Sequence, residues 1–249
     1  MDRQRFSRIA HSTHLFYNPI SGEKLDRVLG LVPLTADSRV VDFGAGRCEA
    51  LIRMVERYGC SALAVETDEM FLEMARSQAM TRVPDKTVRL VRQEAAKFLD
   101  ANPACNFDMA LCIGATHTFG DYRHTLVRLK ACVRPGGWIV VGEGYWKQKP
   151  SSEYIVVLGG DESELTSHEQ NIQTAEELDL VPLWASVASD DEWDEYEWRY
   201  RMNIENFAHE NPDDPDHGVM LERIRAWNHA YIAWGRATLG FGLYLFRNA

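Results

Sequence analysis

The sequence predicts an α/β fold organised around a parallel β-sheet. Two observations indicate it. Short apolar runs alternate with segments of helical spacing from residue 38 onward, and the first two runs each end close to an acidic residue. Such runs are typical of strands buried on both faces of a sheet, with helices as right-handed crossovers. At 249 residues and 45% hydrophobic content, the chain is expected to form a single domain over residues 1–249.

The N-terminal segment, residues 1–36, is expected to be helical with irregular parts. Its clearest helix covers residues 21–32, where Leu25, Val28 and Leu29 form an apolar stripe. Ser21 stands at the expected N-cap, but the residue three positions later is Lys24, not the Glu or Gln of a capping box.

The segment 37–146 carries the first five strands. They are expected at residues 38–43, 61–66, 88–93, 107–113 and 138–143. Helices are expected at residues 48–58, 67–80 and 122–133. Pro135, Gly136 and Gly137 stop the last of these helices.

The chain after residue 143 is less regular. A helix is expected at residues 163–178, a sixth strand at 180–189 and a seventh at 240–246. Two helices, at 190–210 and 216–236, lie between the last two strands, and Asn211-Pro212 begins the break that separates them. We interpret residues 190–236 as a helical cap inserted into the domain.

The composition and net charge of the chain exclude some classes of partner and indicate where the protein is located. The chain has 27 Lys and Arg against 37 Asp and Glu, a net charge of −10, so neither nucleic acid nor anionic membrane is expected as a partner. No apolar run is long enough to span a membrane and no signal peptide opens the chain, which predicts a cytoplasmic protein. The five cysteines form no CxxC pair, so we expect reduced thiols and no metal site.

A glycine turn is the strongest local motif. Gly44-Ala45-Gly46 follows the first strand and precedes a helix, where glycines let backbone amides approach a ligand closely. Glu66 ends the second strand, twenty residues after Gly46, and its carboxylate is suited to bind both hydroxyls of a ribose. Glu94 follows the third strand, where an acid is suited to meet an adenine amino group.

Two cofactors fit a glycine turn with a ribose-binding acid. The dinucleotide fingerprint places a third glycine three residues after Gly46, but that position is Glu49. A carboxylate at a helix start opposes a pyrophosphate, whereas a sulfonium cofactor is positively charged and has no phosphate. Asp42 and Glu49 therefore favour S-adenosylmethionine over NAD.

Five segments carry a family resemblance. In chain order they are VVDFGAGR, AVETDEMFLEMAR, VRQEAAKF, FDMALCIGATHTFGD and LKACVRPGGWIVVGEGYW, between residues 38 and 146. Their sequences, order and spacing resemble the class I, Rossmann-like S-adenosylmethionine-dependent methyltransferases. The resemblance implies a doubly wound seven-stranded sheet with an antiparallel last strand, and methyl transfer by in-line SN2 displacement. Cys48 departs from the pattern: it stands where a third glycine is frequent and is expected to tighten the loop.

The resemblance also implies which residues bind the cofactor. The methionine end is assigned to Asp42, Gly44, Ala45 and Gly46, the ribose to Glu66 and Thr67, the adenine edge to Glu94 and Ala95, and a packing contact to Ile113. In this fold the N-terminal segment often closes over the cofactor as a lid. Tyr17 is then expected at the methionine end, with a surface turn as the equal alternative.

The methyl acceptor is expected at the same edge of the sheet. His117, after the fourth strand, is the first candidate for a general base, with a loop-capping histidine as the alternative. Glu143 and Tyr145, after the fifth strand, are further catalytic candidates, although Glu143 is equally suited to a structural role. A small-molecule acceptor, aromatic or cationic, would suit the aromatic rings of the cap.

Those rings have a second explanation. Trp193, Tyr196 and Tyr200 fall at helical spacing, as do Trp227, Tyr231 and Trp234, so packing of the helix pair is favoured over ligand binding.

Other functions compete with small-molecule methylation. Nucleic-acid methyltransferases carry a Pro-Pro signature after the fourth strand, where this chain has Ile113-Gly114-Ala115-Thr116. A non-catalytic protein that binds S-adenosylmethionine for regulation or for a partner is the main alternative, and a nicotinamide oxidoreductase ranks last.

Overall fold

One mixed β-sheet of seven strands forms the centre of the structure, a computed structural model that describes residues 2–84 and 88–249. The strands are β1 (Arg39–Phe43), β2 (Ser61–Glu66), β3 (Val88–Arg92), β4 (Phe107–Ile113), β5 (Val133–Trp146), β6 (Leu180–Val187) and β7 (Leu239–Asn248). Their order is β3-β2-β1-β4-β5-β7-β6. β7 is antiparallel to both neighbours and the other pairs are parallel, which confirms the predicted fold.

Helices cover both faces of this sheet. They are α1 (Arg3–Ala10), α2 (Gly22–Leu29), α3 (Glu49–Tyr58), α4 (Glu69–Arg82), α5 (Ala95–Ala101), α6 (Tyr122–Cys132), α7 (Ser152–Leu158), α8 (His168–Glu176), α9 (Asp190–Glu210), α10 (His217–Ala230) and α11 (Arg236–Thr238). Successive strand residues feed opposite cores: Val40 packs with α2 and α3, whereas Val41 packs with α5 and α6.

The strand order places a topological switch point between β1 and β4. From β1 the chain winds outward through β2 to β3, and it then crosses back to β4 on the other side of β1. The loops after β1 and β4 therefore leave the sheet in opposite directions. In open α/β sheets the crevice between such loops is where ligands bind.

β5 begins earlier than predicted. It starts at Val133, directly after α6, rather than at residue 138. Val133 pairs with Phe107 and Trp138 with Met109, and the register shift between these pairs absorbs the Pro-Gly-Gly segment as an irregularity of the strand. The Pro-Gly-Gly segment therefore follows the end of α6 but lies inside β5, and it does not shift the start of the strand.

Two helical predictions also need correction. The helix expected at 163–178 is α8, which begins only at His168, after Ser167 caps it and a 3₁₀ turn at Glu162–Glu164 has ended. The helix expected at 216–236 ends at Ala230 and continues as a π-helical turn, Tyr231–Gly235. α7 was not expected, because its seven residues are too short for a periodic signal.

The N-terminal cap of α2 includes a hydrogen bond to a residue of α9. The Ser21 hydroxyl accepts the Lys24 N–H, while the Ser21 N–H donates to Glu192 Oε1 of α9 at 3.1 Å. Glu192 also caps its own helix and pairs with Lys24. Burial raises the pKa of Glu192, but these hydrogen bonds outweigh that effect and lower the pKa to about 2. One carboxylate thus joins α2 to the inserted helices.

We expect Glu192→Gln to lower the free energy of unfolding by about 1–3 kcal/mol at pH 7, because the ionised carboxylate is bound by several donors. The folded-state pKa lies below its ordinary value of 4.5, so this stabilisation is complete above pH 4.5 and is lost as the pH falls towards 2. Denaturant unfolding at several pH values measures it. The control is Glu164→Gln, a capping-box residue whose box lies within its own 3₁₀ turn. Equal losses in the two variants would contradict the joining role.

Candidate active site

In the loop after β1, every second residue adopts the left-handed backbone conformation. Gly44, Gly46 and Cys48 have φ values of 69°, 53° and 61°. At Gly44 a Cβ atom would lie 2.3 Å from Cβ of Ala115, so only glycine fits there. Cys48 is fully buried and accepts a conformation that costs a side-chain-bearing residue about 1–2 kcal/mol. The departure seen in the sequence thus occupies a position that favours glycine.

A cavity of about 250 Å³ lies above this loop, and we call it the glycine-loop cavity. Nine of the residues predicted from the sequence line it: Tyr17, Asp42, Gly44, Ala45, Gly46, Glu66, Thr67, Ile113 and His117. The N-terminal segment, the loop after β4 and Phe71 of α4 supply further walls. The cavity therefore occupies the switch point of the sheet.

Asp42 contributes a buried carboxyl group to the glycine-loop cavity. The residue is 4% exposed, and Oδ1 has no hydrogen-bond partner among the described residues. Burial, with the nearby charge of Glu66, raises the pKa of Asp42 to about 7. Because an unpaired buried carboxylate is costly, this position is suited to a positively charged ligand.

Glu66 ties the loop after β1 to the start of α4. Its Oε2 accepts the Gly46 N–H at 2.9 Å, and its Oε1 accepts the N–H groups of Thr67 at 2.7 Å and Asp68 at 3.0 Å. A carboxylate oxygen has two acceptor sites, so Oε2 retains one for a ligand hydroxyl.

Glu49 corrects the electrostatic argument drawn from the sequence. It is 4% exposed and binds two arginines, Arg53 at 2.7 Å and Arg82 at 2.6 Å. Its negative charge is therefore compensated within the fold and opposes a pyrophosphate less than the sequence suggested. Asp42 and Glu66 supply the negative charge of the cavity instead.

Tyr17 lies at the cavity, as the N-terminal segment folds across the glycine loop. Its ring packs on Phe71 at 5.0 Å and under the Arg47 guanidinium at 5.3 Å. Arg47, which the sequence interpretation missed, donates to the carbonyl groups of His11 at 3.3 Å and His14 at 3.1 Å. Arg47 sits within the glycine motif itself, and this location is the signal that would have indicated it.

A second cavity, of about 650 Å³, adjoins the first, and we call it the cap cavity. The two share Tyr17, Asn18, Gly114 and His117. The cap cavity is lined further by Pro19, Thr116, Gly120, Asp121, Tyr122, Glu143, Ser163, Glu164, Leu165, Trp193, Tyr196 and Phe241. His117 is exposed and stands at the junction, on a 3₁₀ turn at Thr116–Phe119.

Glu143 is a half-buried carboxyl group of the cap cavity. Its Oε1 accepts the Gly144 N–H at 2.8 Å. Burial raises the pKa of Glu143, and hydrogen bonds from Thr116 and Gly144 oppose that rise. A carboxyl group with a raised pKa is suited to accept a proton from a ligand.

Three predicted residues lie outside both cavities. Glu94 is exposed and pairs with Lys97 at 2.6 Å, while Ala95 is buried in α5. Tyr145 packs against His168 at 5.3 Å between ring centroids, and it fills the space that a side chain at position 240 would need. Gly240 lies opposite Tyr145 on β7 and has no side chain, so the Tyr145 ring packs over it in the protein interior and not in the ligand site.

The aromatic residues of the inserted helices divide between two roles. Trp193 and Tyr196 line the cap cavity. Tyr231 stacks on Trp193 and donates its hydroxyl hydrogen to Asp194 at 2.6 Å, which is the packing expected from helical spacing. The same face of α9 thus serves both packing and the cavity.

Known proteins are similar to this chain in sequence. Residues 40–137 match the family described as methyltransferase domain. The chain is 27% identical to the uncharacterized protein YjhP of Escherichia coli (strain K12), over 98% of each chain. It is also 27% identical to 27-O-demethylrifamycin SV methyltransferase of Amycolatopsis mediterranei, over 47% of this chain and 43% of that one.

A solved structure extends the similarity to the whole fold. A S-adenosylmethionine-dependent methyltransferase from Geobacter sulfurreducens, in complex with S-adenosyl-L-homocysteine, superposes with a TM-score of 0.88 at 25% identity, over 97% of each chain. Residues 40–137 form a methyltransferase domain, and the whole chain has the fold of a S-adenosylmethionine-dependent methyltransferase. Its cofactor is S-adenosylmethionine, and the unpaired buried carboxyl group of Asp42 fits the positive charge of that molecule.

In residues 2–84 and 88–249, no helix is both long and apolar enough to cross a membrane. The same ranges hold no group of three or more His, Cys, Asp or Glu placed to bind a metal ion.

We expect Gly44→Ala to destabilise the methyltransferase and to weaken cofactor binding. The new Cβ requires both a positive φ and a move of Ala115 away from the loop. The control is Gly159→Ala, where φ is also positive at 72° but no atom lies within 4 Å of the new Cβ. Thermal unfolding should show a loss of about 1–2 kcal/mol for the control and about 1–3 kcal/mol more for Gly44→Ala. Similar losses would show that the close approach to Ala115 is unimportant.

Proposed function

We propose that the methyltransferase moves a methyl group from S-adenosylmethionine to a small molecule in the cap cavity. The observation that carries this proposal is the meeting of the two cavities at Tyr17, Asn18, Gly114 and His117. A cofactor in one and an acceptor in the other would face each other there. In-line SN2 displacement requires this alignment of acceptor atom, methyl carbon and sulfur.

The glycine-loop cavity is proposed to hold the cofactor, which supplies an activated methyl group when bound. Asp42 and the loop Gly44-Ala45-Gly46 would take the methionine end, Glu66 and Thr67 the ribose, and Ile113 a packing contact. The free acceptor site of Glu66 Oε2 supports the ribose assignment. Glu94 and Ala95 remain proposed for the adenine edge, which requires Glu94 to turn away from Lys97.

The N-terminal segment, residues 1–36, is proposed as a lid and the inserted helices, residues 190–236, as a cap. Arg47 donates hydrogen bonds to the backbone of the lid segment. Its guanidinium also packs on the ring of Tyr17, which lies over the glycine loop. The His11 side chain joins the same segment to Tyr196 of α9 at 2.8 Å. Lid and cap would together exclude water from the reacting atoms.

Glu143 is proposed as the proton acceptor and His117 as a contact to the acceptor molecule. Glu143 is favoured because it is half-buried in the cap cavity and burial raises its pKa, whereas His117 is exposed at the entrance of the cavity. Tyr145 is assigned a packing role, since it lines neither cavity.

A small acceptor is favoured over a macromolecule. The cap cavity falls in the usual size range of small-molecule sites, and its acids repel the phosphates of nucleic acid. The relative from Amycolatopsis mediterranei is named for the acceptor 27-O-demethylrifamycin SV. A cytoplasmic location is also proposed, because all five cysteines are free thiols, which a reducing compartment maintains.

Transfer of labelled methyl groups tests the proposal. The purified protein is incubated with methyl-labelled S-adenosylmethionine and with panels of small amines, phenols, thiols and carboxylic acids, and separately with DNA, tRNA and unfolded protein. Label is expected in a small-molecule fraction. Label confined to a macromolecule, or transferred to nothing, would contradict the proposal.

A further inference from the structure

The charge of the cap cavity selects against anionic ligands. Three carboxyl groups line it, those of Asp121, Glu143 and Glu164, and its described lining includes neither lysine nor arginine. A carboxylate or phosphate ligand would enter this cavity without a positive partner, which costs free energy in a partly buried site. The cavity is therefore suited to a neutral or positively charged acceptor.

Aromatic rings supply a second kind of cation site in the same cavity. Five of them line it: Tyr17, Tyr122, Trp193, Tyr196 and Phe241. Trp193 is 6% exposed and is held by Tyr196 edge-on at 6.2 Å and by Tyr231 stacked at 6.4 Å. The faces of such rings attract ammonium groups, most strongly where water is excluded. Rings already fixed by packing lose little entropy when a ligand binds.

Two residues that line the cap cavity but not the glycine-loop cavity carry a polar atom that lacks a protein partner. Trp193 Nε1 and Tyr122 Oη are buried, and no described residue binds either atom. The indole N–H is only a donor, and burial raises the pKa of Tyr122, so its hydroxyl keeps its proton. Buried donors of this kind usually have acceptors, and the ligand is the available source of them.

We propose that the methyl acceptor is a small primary or secondary amine that also carries a neutral oxygen. This inference rests on the proposed function. The amine binds as an ammonium group beside Glu143 and the aromatic rings, and its oxygen accepts from Trp193 or Tyr122. The ammonium gives its proton to Glu143, and the nitrogen lone pair then bonds to the methyl carbon. The carbon–sulfur bond breaks with its electron pair retained by sulfur.

Matched ligands test this assignment without any need for turnover. Binding is measured by calorimetry in the presence of S-adenosyl-L-homocysteine, for two series of equal shape. One series is 2-phenoxyethylamine, 2-phenoxyethanol and phenoxyacetate, and the other is 2-methoxyethylamine, 2-methoxyethanol and methoxyacetate. In at least one series we expect the amine to bind about tenfold to a hundredfold more tightly than the alcohol, as a charged hydrogen bond predicts, and the acid most weakly.

The Glu143→Gln variant makes the test specific. It should reduce the preference for the amine over the alcohol to less than about threefold, while the Kd of S-adenosyl-L-homocysteine stays unchanged. A preference for alcohol or acid in both series, or an amine preference that survives in Glu143→Gln, would overturn the inference. Methyl transfer to a phenol or thiol, but to no amine, would overturn it and leave the proposed function standing. Transfer to no small molecule would instead overturn the proposed function, whatever the binding order.

Discussion

Replacing Glu66 by alanine should raise the Kd of S-adenosyl-L-homocysteine by about a hundredfold or more. The variant would lose a charge-assisted hydrogen bond to the cofactor ribose, worth roughly 1.5–3 kcal/mol. It would also release the Gly46 N–H that Oε2 holds at 2.9 Å, which loosens the glycine loop. Calorimetric titration measures the affinity, and thermal unfolding without ligand separates the contribution of the loosened loop.

Glu69→Ala is the matched control for this prediction. It removes the same charge at the start of α4, but the Glu69 side chain is 44% exposed and forms a 3.5 Å ion pair with Arg92 outside the cavity lining. Its Kd should equal that of the wild type. If Glu66→Ala binds the ligand within about threefold of the wild type, the assigned ribose contact is wrong.

Glu143→Gln should lower the rate of methyl transfer by about a hundredfold to ten-thousandfold, with the cofactor Kd unchanged. The amide keeps the shape of the side chain and its place in the cap cavity, but it accepts no proton. Because burial raises the pKa of Glu143, the wild-type rate should fall as the pH drops through a value above 4.5, where the carboxyl group becomes protonated. This limb of the pH profile should be absent in the variant.

Glu169→Gln is the control for Glu143→Gln. It makes the same exchange on the exposed first turn of α8, away from both cavities, and should retain the wild-type rate and pH profile. If Glu143→Gln is as active as this control, then Glu143 is a structural carboxyl group, as the alternative interpretation of the sequence held.

The strands β1, β2 and β4 were predictable from sequence because they are buried on both faces. β4 was expected at 107–113 and is found at Phe107–Ile113. Beyond residue 146, the helix expected at 190–210 is found as α9 at Asp190–Glu210. The ends of α8 and α10 were not predictable, because they depend on tertiary contacts. The π-helical turn after Ala230 ends where Gly235 meets the Tyr154 hydroxyl, a contact between separate helices.

The site was predictable where the motif fixes the backbone and not where side chains meet from distant elements. Asp42 and Glu66 end adjacent strands, so strand order alone brings them together. Tyr145 stands two residues after Glu143 on the same strand, but its direction is settled by Gly240 on the antiparallel neighbour. The compensation of Glu49 by Arg82 likewise joins two helices, and nothing in the local sequence indicates it.

One measurement tests the central claim most directly, that the glycine-loop cavity is built for S-adenosylmethionine. It is the calorimetric titration of the wild-type protein with S-adenosylmethionine and, separately, with NAD. We predict micromolar binding of S-adenosylmethionine and no detectable binding of NAD, because Asp42 and Glu66 favour a positive ligand over a pyrophosphate. Binding of NAD with similar affinity, or of neither molecule, would contradict the account.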